Sequence, residues 1–129
     1  MAPWADKYIG IPYGLNERTM QSCDCYGLVY LVYKNEFGID LPSYSDEYDK
    51  KTDSEKLMDV YKKHRDNWNE VVLPKVGDVV YFTIAGFAKH VGVMIDEKHF
   101  IHNLRESSTI GCVRSLRWKH RKLGFYRYE

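Results

Sequence analysis

Helix-forming and strand-forming patterns are segregated along this chain, and their order limits the folds open to it. From Cys25 onward the apolar residues Leu28, Val29, Leu31, Val32 and Phe37 recur at near-helical spacing. Gly38 then supplies a stop signal. The spacing predicts a helix from Asp24 to Phe37, with Asp24 at its N-cap and Cys25 in its first turn. A second helix is expected over 53–66, "DSEKLMDVYKKHRD", with Leu57, Val60 and Tyr61 inward. Past the turn "LPKVGD" the pattern becomes that of strands: "DVVYFTI" at 78–84, "HVGVMID" at 90–96 and "HFIHN" at 99–103. Two weaker strands follow, "IGCVRSL" at 110–116 and "LGFYRYE" at 123–129. Helices first and strands second give an α+β fold, with an antiparallel sheet or small open barrel of about five strands. Residues 3–16, "PWADKYIGIPYGLN", read as an irregular arm with one helical turn before Gly10.

A chain of 129 residues fits a single domain, 1–129, able to bury a core without staples. Charged residues at 29% and hydrophobic ones at 44% place it among soluble globular proteins. A formal net charge of +1 gives no global case for nucleic acid. No apolar run approaches the roughly 18 residues of a membrane span. The start "MAPWADKYIG" lacks the basic and apolar regions of a signal peptide. Cytoplasmic synthesis is therefore expected, with any secretion by another route, and the expected state is a monomer. The three cysteines cannot all pair, and in a reducing compartment they are most simply free thiols.

The stretch "QSCDCYGLVYLVY" poses the functional question, because Cys23 and Cys25 suit a metal site, a disulfide or one reactive thiol. A structural zinc site needs four ligands at paired short spacings, and Cys112 has no companion. No structural zinc site is expected. A Cys23–Cys25 disulfide would close a small, strained ring. A reactive thiol fits better, because a helix start presents unpaired N–H groups and a positive dipole end that favour a thiolate at Cys25. The same N–H groups suit a developing oxyanion. A buried, inert cysteine is the commoner fate of such a residue, and position alone favours it.

A thiol nucleophile needs a base. His64 and His120 lie in charged runs and His99 in the polar turn "DEKH", so all three are expected at the surface. His90 opens one apolar strand and His102 closes the next, with a hairpin turn at Asp96 to Lys98 between them. The two share a face only if an odd-length loop or a bulge brings their twelve-residue separation into phase. One imidazole could then take the thiol proton and the other hold its tautomer. The competing reading is two strand-end histidines satisfied by backbone.

The ordered segments "DCYGLVYLVY", "VGDVVYF", "HVGVMI" and "FIHN", with "YIGIPYG" upstream, resemble the NlpC-type cell-wall peptidases, a papain-like cysteine peptidase family. The likeness runs from about Tyr8 to Asn103. It implies Cys25 as nucleophile, His90 as general base and His102 as the residue orienting His90. It implies Tyr13 beside the nucleophile as an aid to the oxyanion. Asp24 and Tyr26, which flank the nucleophile, join Tyr13 as candidate oxyanion- and substrate-binding residues. Gly27 matches a motif glycine that lets the helix pack closely. The implied reaction is hydrolysis of amide bonds in peptidoglycan stem peptides, without metal or organic cofactor.

Two departures stand out. Tyr26 occupies a position where the family usually has serine, so a reshaped cleft is expected. "GLNERTMQS" replaces the family's usual Trp-Gly-Gly type segment at the substrate groove. A single-domain layout without a leader is similar to phage-encoded members, which would make phage tail proteins partners. The alternatives are a tail or assembly structural protein with an unused site, and a papain-like amidase or acyltransferase on a non-wall substrate. The basic stretch "RSLRWKHRK" reads as a solvated strand edge kept from aggregating by its charges. Trp4 and Trp68 read as packing residues.

Overall fold

A computed structural model of the chain describes residues 2–42, 68–84 and 87–128, with backbone alone at 84 and 87–89. The second helix expected over 53–66 lies outside the described residues, as does His64. The arm begins with a six-residue 3-10 helix, Pro3–Tyr8, with proline in its first turn. A small hairpin follows, β1 (Arg18–Thr19) paired with β2 (Ser22–Cys23). Helix α1 runs Cys25–Phe37, from the Asp24 N-cap to a left-handed Gly38 at φ 68°.

The sheet contains β3 (Trp68–Val71), β4 (Val79–Ile84), β5 (Phe87–Met94), β6 (His99–Asn103), β7 (Ser108–Cys112) and β8 (Lys122–Tyr128). Its order is β3-β8-β4-β5-β6-β7, with every neighbouring pair antiparallel. This is the α+β architecture expected from the sequence, as an open sheet of six strands. β3 is the unexpected member. Its "WNEV" has no apolar alternation, and its pairing with β8 makes it a strand. The strand expected at 110–116 ends at Cys112. Beyond it the chain turns, with the Ser115 carbonyl accepting from the N–H groups of Trp118 and Lys119, and Trp118 folds inward to 3% exposure.

The sheet has two covered faces. On one, Leu28, Val29 and Val32 of α1 pack among Val79, Tyr81, Val91, Val93 and Ile101. On the other, Val80, Phe82, Met94, Phe100 and Phe125 pack around Trp118. Strand alternation produces this division, since adjacent residues point to opposite faces. Each such side chain contributes about 1.5–3 kcal/mol on burial. Trp4 meets Tyr8 and Phe37 edge-on, and Trp68 packs on Tyr33 and Tyr128, so both serve packing. Just ahead of β4, the buried Asp78 carboxylate takes a two-pronged grip from Arg127 of β8 at 2.9 and 2.8 Å.

Candidate active site

The start of α1 is fixed by main chain and by one carboxylate. Asp24, 2% exposed, accepts from the Gly27 N–H at 2.7 Å, the Asn16 N–H at 2.7 Å and the Arg18 guanidinium at 3.1 Å. Its charge is thus spent on capping the helix and anchoring the β1–β2 hairpin. Gly27 sits where that hairpin meets the helix: a Cβ there would lie 2.1 Å from the Glu17 carbonyl oxygen. The glycine is what lets the two approach.

This packing buries the Cys25 thiol to 8% exposure. Its sulfur receives hydrogen bonds from the backbone N–H groups of Val91 and Tyr26. The expectation of a thiolate favoured by the helix start is corrected here. Burial, followed by the adjacent Asp24 charge, pushes the Cys25 thiol up to about 12, and the two N–H groups offset only part of this. Cys25 therefore rests as a neutral thiol. Cys23, fully buried, is likewise pushed up by burial, to about 11.

His90 and His102 meet on the far face of the sheet. Val93 pairs with Ile101 and Met94 with Phe100, so His102 stands across from Gly92 and diagonal to His90. The Ile95 N–H bonds the His99 carbonyl, leaving a three-residue turn, Asp96 to Lys98, and this odd loop brings the two histidines into phase. Asp96 closes the turn by accepting from the N–H groups of Lys98 and His99. Gly92 gives the rings room, since a Cβ there would lie 3.3 Å from that of His102 and 2.9 Å from Phe100.

His90 Nε2 lies 2.7 Å from His102 Nδ1, and the two side chains are buried. Trp118 stacks on His90 at 5.7 Å between centroids and meets His102 edge-on at 5.2 Å. Phe82 stacks on the His90 side and Phe100 abuts His102. Burial, the facing His102 and the nearby Arg117 hold His90 well below its ordinary range. Burial and Arg117 lower His102 to about 4. Both rings are neutral near pH 7. One proton arrangement leaves His90 Nδ1 free to accept: Nε2–H of His90 donates to Nδ1 of His102.

The remaining candidates line the α1 side. Tyr13 forms an isolated bridge with Cys23. Its phenol is raised by burial and by the neighbouring Cys25 and Asp24, so it stays a protonated donor. Tyr26 is buried, with its hydroxyl donating to the Pro42 carbonyl at 2.6 Å and Arg18 over its ring at 5.4 Å. His99 pairs with Asp96 at 2.9 Å in the hairpin turn, and His120 is exposed.

Asn103, Trp118 and Arg18 were not singled out as site residues by sequence reasoning. Asn103 is fully buried, and its Nδ2 donates to the carbonyls of Ile11 at 3.0 Å and Cys23 at 2.9 Å. It thereby staples the arm that carries Tyr13 to the segment that carries Cys25. Its position directly after His102 was the available signal. Among the described residues, no cluster of three or more histidine, cysteine, aspartate or glutamate side chains could hold a metal ion.

Comparison with known proteins identifies the family. The NlpC/P60 family pattern matches residues 10–127. The chain is 31% identical over 134 residues to a gamma-DL-glutamyl hydrolase of Bacillus subtilis, an alignment covering 97% of this chain and 28% of that protein. It is 26% identical to an Escherichia coli murein DD-endopeptidase/LD-carboxypeptidase, over 94% of this chain and 57% of that protein. The chain thus spans from about a quarter to just over half the length of these relatives. Among solved structures, an NLP/P60 lipoprotein-like protein of Staphylococcus aureus superposes with TM-score 0.68 at 26% identity, over 96% of this chain and 38% of that one. The NlpC/p60 domain of the peptidoglycan hydrolase SagA superposes with TM-score 0.65 at 23% identity, over 97% and 92% of the two chains. A capped helix carrying Cys25, a sheet carrying paired histidines and a family pattern spanning both lead to one assignment: this chain belongs to the NlpC/P60 family.

Proposed function

We propose that residues 1–129 form one cysteine peptidase domain that hydrolyses amide bonds in peptidoglycan stem peptides, with Cys25, His90 and His102 as its catalytic residues. The 2.7 Å contact between His90 Nε2 and His102 Nδ1 carries this reading. With Nε2–H of His90 donating to His102 Nδ1, His90 Nδ1 is the acceptor, on a residue whose chain neighbour Val91 already bonds the Cys25 sulfur.

In the reaction, the thiol proton passes to His90 Nδ1 as the sulfur attacks the carbonyl carbon. The resulting imidazolium is steadied by His102, and the oxyanion by N–H groups at the α1 start together with the Tyr13 hydroxyl. The carbon–nitrogen bond breaks and His90 gives its proton to the leaving amine, leaving a thioester on Cys25. A water then loses a proton to His90 and attacks the thioester. The carbon–sulfur bond breaks, the acid departs and the thiol is restored. A neutral thiol and neutral imidazole at rest suit this concerted transfer, in which charge appears only as the bond forms.

The names of the relatives, a gamma-DL-glutamyl hydrolase and a murein endopeptidase, support γ-glutamyl or stem-peptide amides as the substrate class. Digestion of purified peptidoglycan, with mass spectrometry of the released fragments, tests the reading and names the bond. Cys25→Ala is expected to release nothing, and retained hydrolysis in that variant overturns the assignment.

A further inference from the structure

His90 separates two sides of the site. Its neighbour Val91 holds the Cys25 sulfur on the α1 side, while its own ring lies beside Trp118 on the other. In amide cleavage the leaving nitrogen must come within hydrogen-bond reach of the imidazole that protonates it. The leaving group therefore comes up to His90, and a charged group near that ring acts on it.

The turn between β7 and β8 reaches that ring through Trp118. It carries Arg114, Arg117, Lys119 and Arg121, all exposed, and no acidic residue occurs anywhere from 107 to 128. Arg117 differs from its neighbours in placement. Its guanidinium lies 5.1 Å from the centre of the Trp118 ring, the ring that stacks on His90. Trp118 is itself fixed, since its N–H bonds the Ser115 carbonyl at 3.1 Å and its carbonyl accepts from Arg121 at 2.9 Å. The charge of Arg117 also reaches both histidines, lowering each. Among the described residues no carboxylate pairs with Arg117. A permanently charged planar fork, placed on a rigid ring beside the general acid, matches the geometry of a carboxylate.

Building on the peptidase reading, we propose that Arg117 is a specificity residue that binds a carboxylate on the departing residue of the scissile amide. The preferred substrates are then γ-glutamyl amides whose leaving amino acid keeps a free carboxylate next to the released amine.

The test uses L-alanyl-γ-D-glutamyl-L-lysine and the same peptide with its C-terminal carboxylate converted to the carboxamide. The whole chain is expected to favour the carboxylate form about tenfold in kcat/KM, mostly through KM. In Arg117→Gln the two forms should converge, Arg117→Lys should retain part of the preference, and Arg114→Gln should retain all of it. Equal use of both peptides by the unsubstituted protein, or an equal loss on both in Arg117→Gln, overturns the proposal. A second measurement does not depend on turnover: titration of the Cys25→Ala protein with each peptide, followed by NMR. Tighter binding of the carboxylate form that disappears when Arg117→Gln is added supports the assignment even if neither peptide is cut, in which case the peptidase reading alone is at fault. Equal binding of the two forms overturns it.

Discussion

At Cys25 the groups bonding the sulfur are main-chain N–H groups, and the helix start is set by the Asp24 cap and by a glycine pressed against the Glu17 carbonyl. At His90 and His102 the surroundings are rings: Phe82, Phe100 and Trp118 enclose the imidazole pair. The two halves of the proposed site should therefore fail in opposite ways. A backbone-held group is upset by added atoms, because main chain cannot move aside cheaply. A ring-held group is upset by deleted atoms, because the void strips contacts and admits water.

Gly27→Ala is the largest expected break on the thiol side. Its methyl would stand 2.1 Å from a backbone oxygen, and no rotamer change relieves that. We expect a loss of about 3 kcal/mol or more in chemical denaturation, at the upper end for overpacking, together with loss of hydrolysis. A variant as stable as the parent would show that the hairpin yields.

On the histidine side, Trp118→Ala should cost about 3 kcal/mol by void formation. It should also let water reach the rings and raise the histidines toward their ordinary range, because burial is the first cause of their lowering. The acid limb of the pH–rate profile would then move to higher pH. An unmoved limb would mean that Trp118 only packs.

Acid probes the same half. His102 is held at about 4, against 6.5 for an unconstrained histidine. Between those values the unfolded chain binds a proton that the folded chain does not. Stability therefore falls as pH drops from about 6.5 to 4, by about 1.4 kcal/mol per pH unit for each such histidine. Unfolding curves at pH 7, 6 and 5 measure this, and His102→Asn should flatten the slope.

Asp24→Asn affects the thiol half more gently. It keeps a side-chain oxygen for the cap but removes the charge that helps push the thiol up. Alkylation of Cys25 should accelerate several-fold at pH 8 while stability drops by about 1 kcal/mol. The smallest effect belongs to Cys23→Ser, outside the proposed chemistry, where hydrolysis should persist with a small stability loss.

Much of the fold was legible in local signals. The Asp24 cap, the apolar spacing and Gly38 marked α1, while "HVGVMID" and "HFIHN" around a short turn marked the β5–β6 hairpin. β3 was not legible, because "WNEV" becomes a strand only through its partner β8. Trp118 was hidden by its neighbours: five basic residues pointed the stretch to solvent, and those residues are indeed exposed while the single indole turns inward. Burying that one ring outweighs the local pattern, and it moves the residue from a solvated edge to the cover over the histidines.

By itself, the sequence determined the candidates and their order: a cysteine at a helix start, two histidines on adjoining strands, and a spacing that an odd turn could bring into phase; His90, expected to open its strand, lies inside β5. Tertiary structure decided the rest. It turned both imidazoles to one face, set them 2.7 Å apart and roofed them with Trp118. It also buried Cys25 beside Asp24, which holds as a thiol the group that the helix start alone would favour as a thiolate. The physical reason is range. Caps, turns and periodicity act over a few residues, whereas desolvation and ring packing depend on segments brought together from far along the chain.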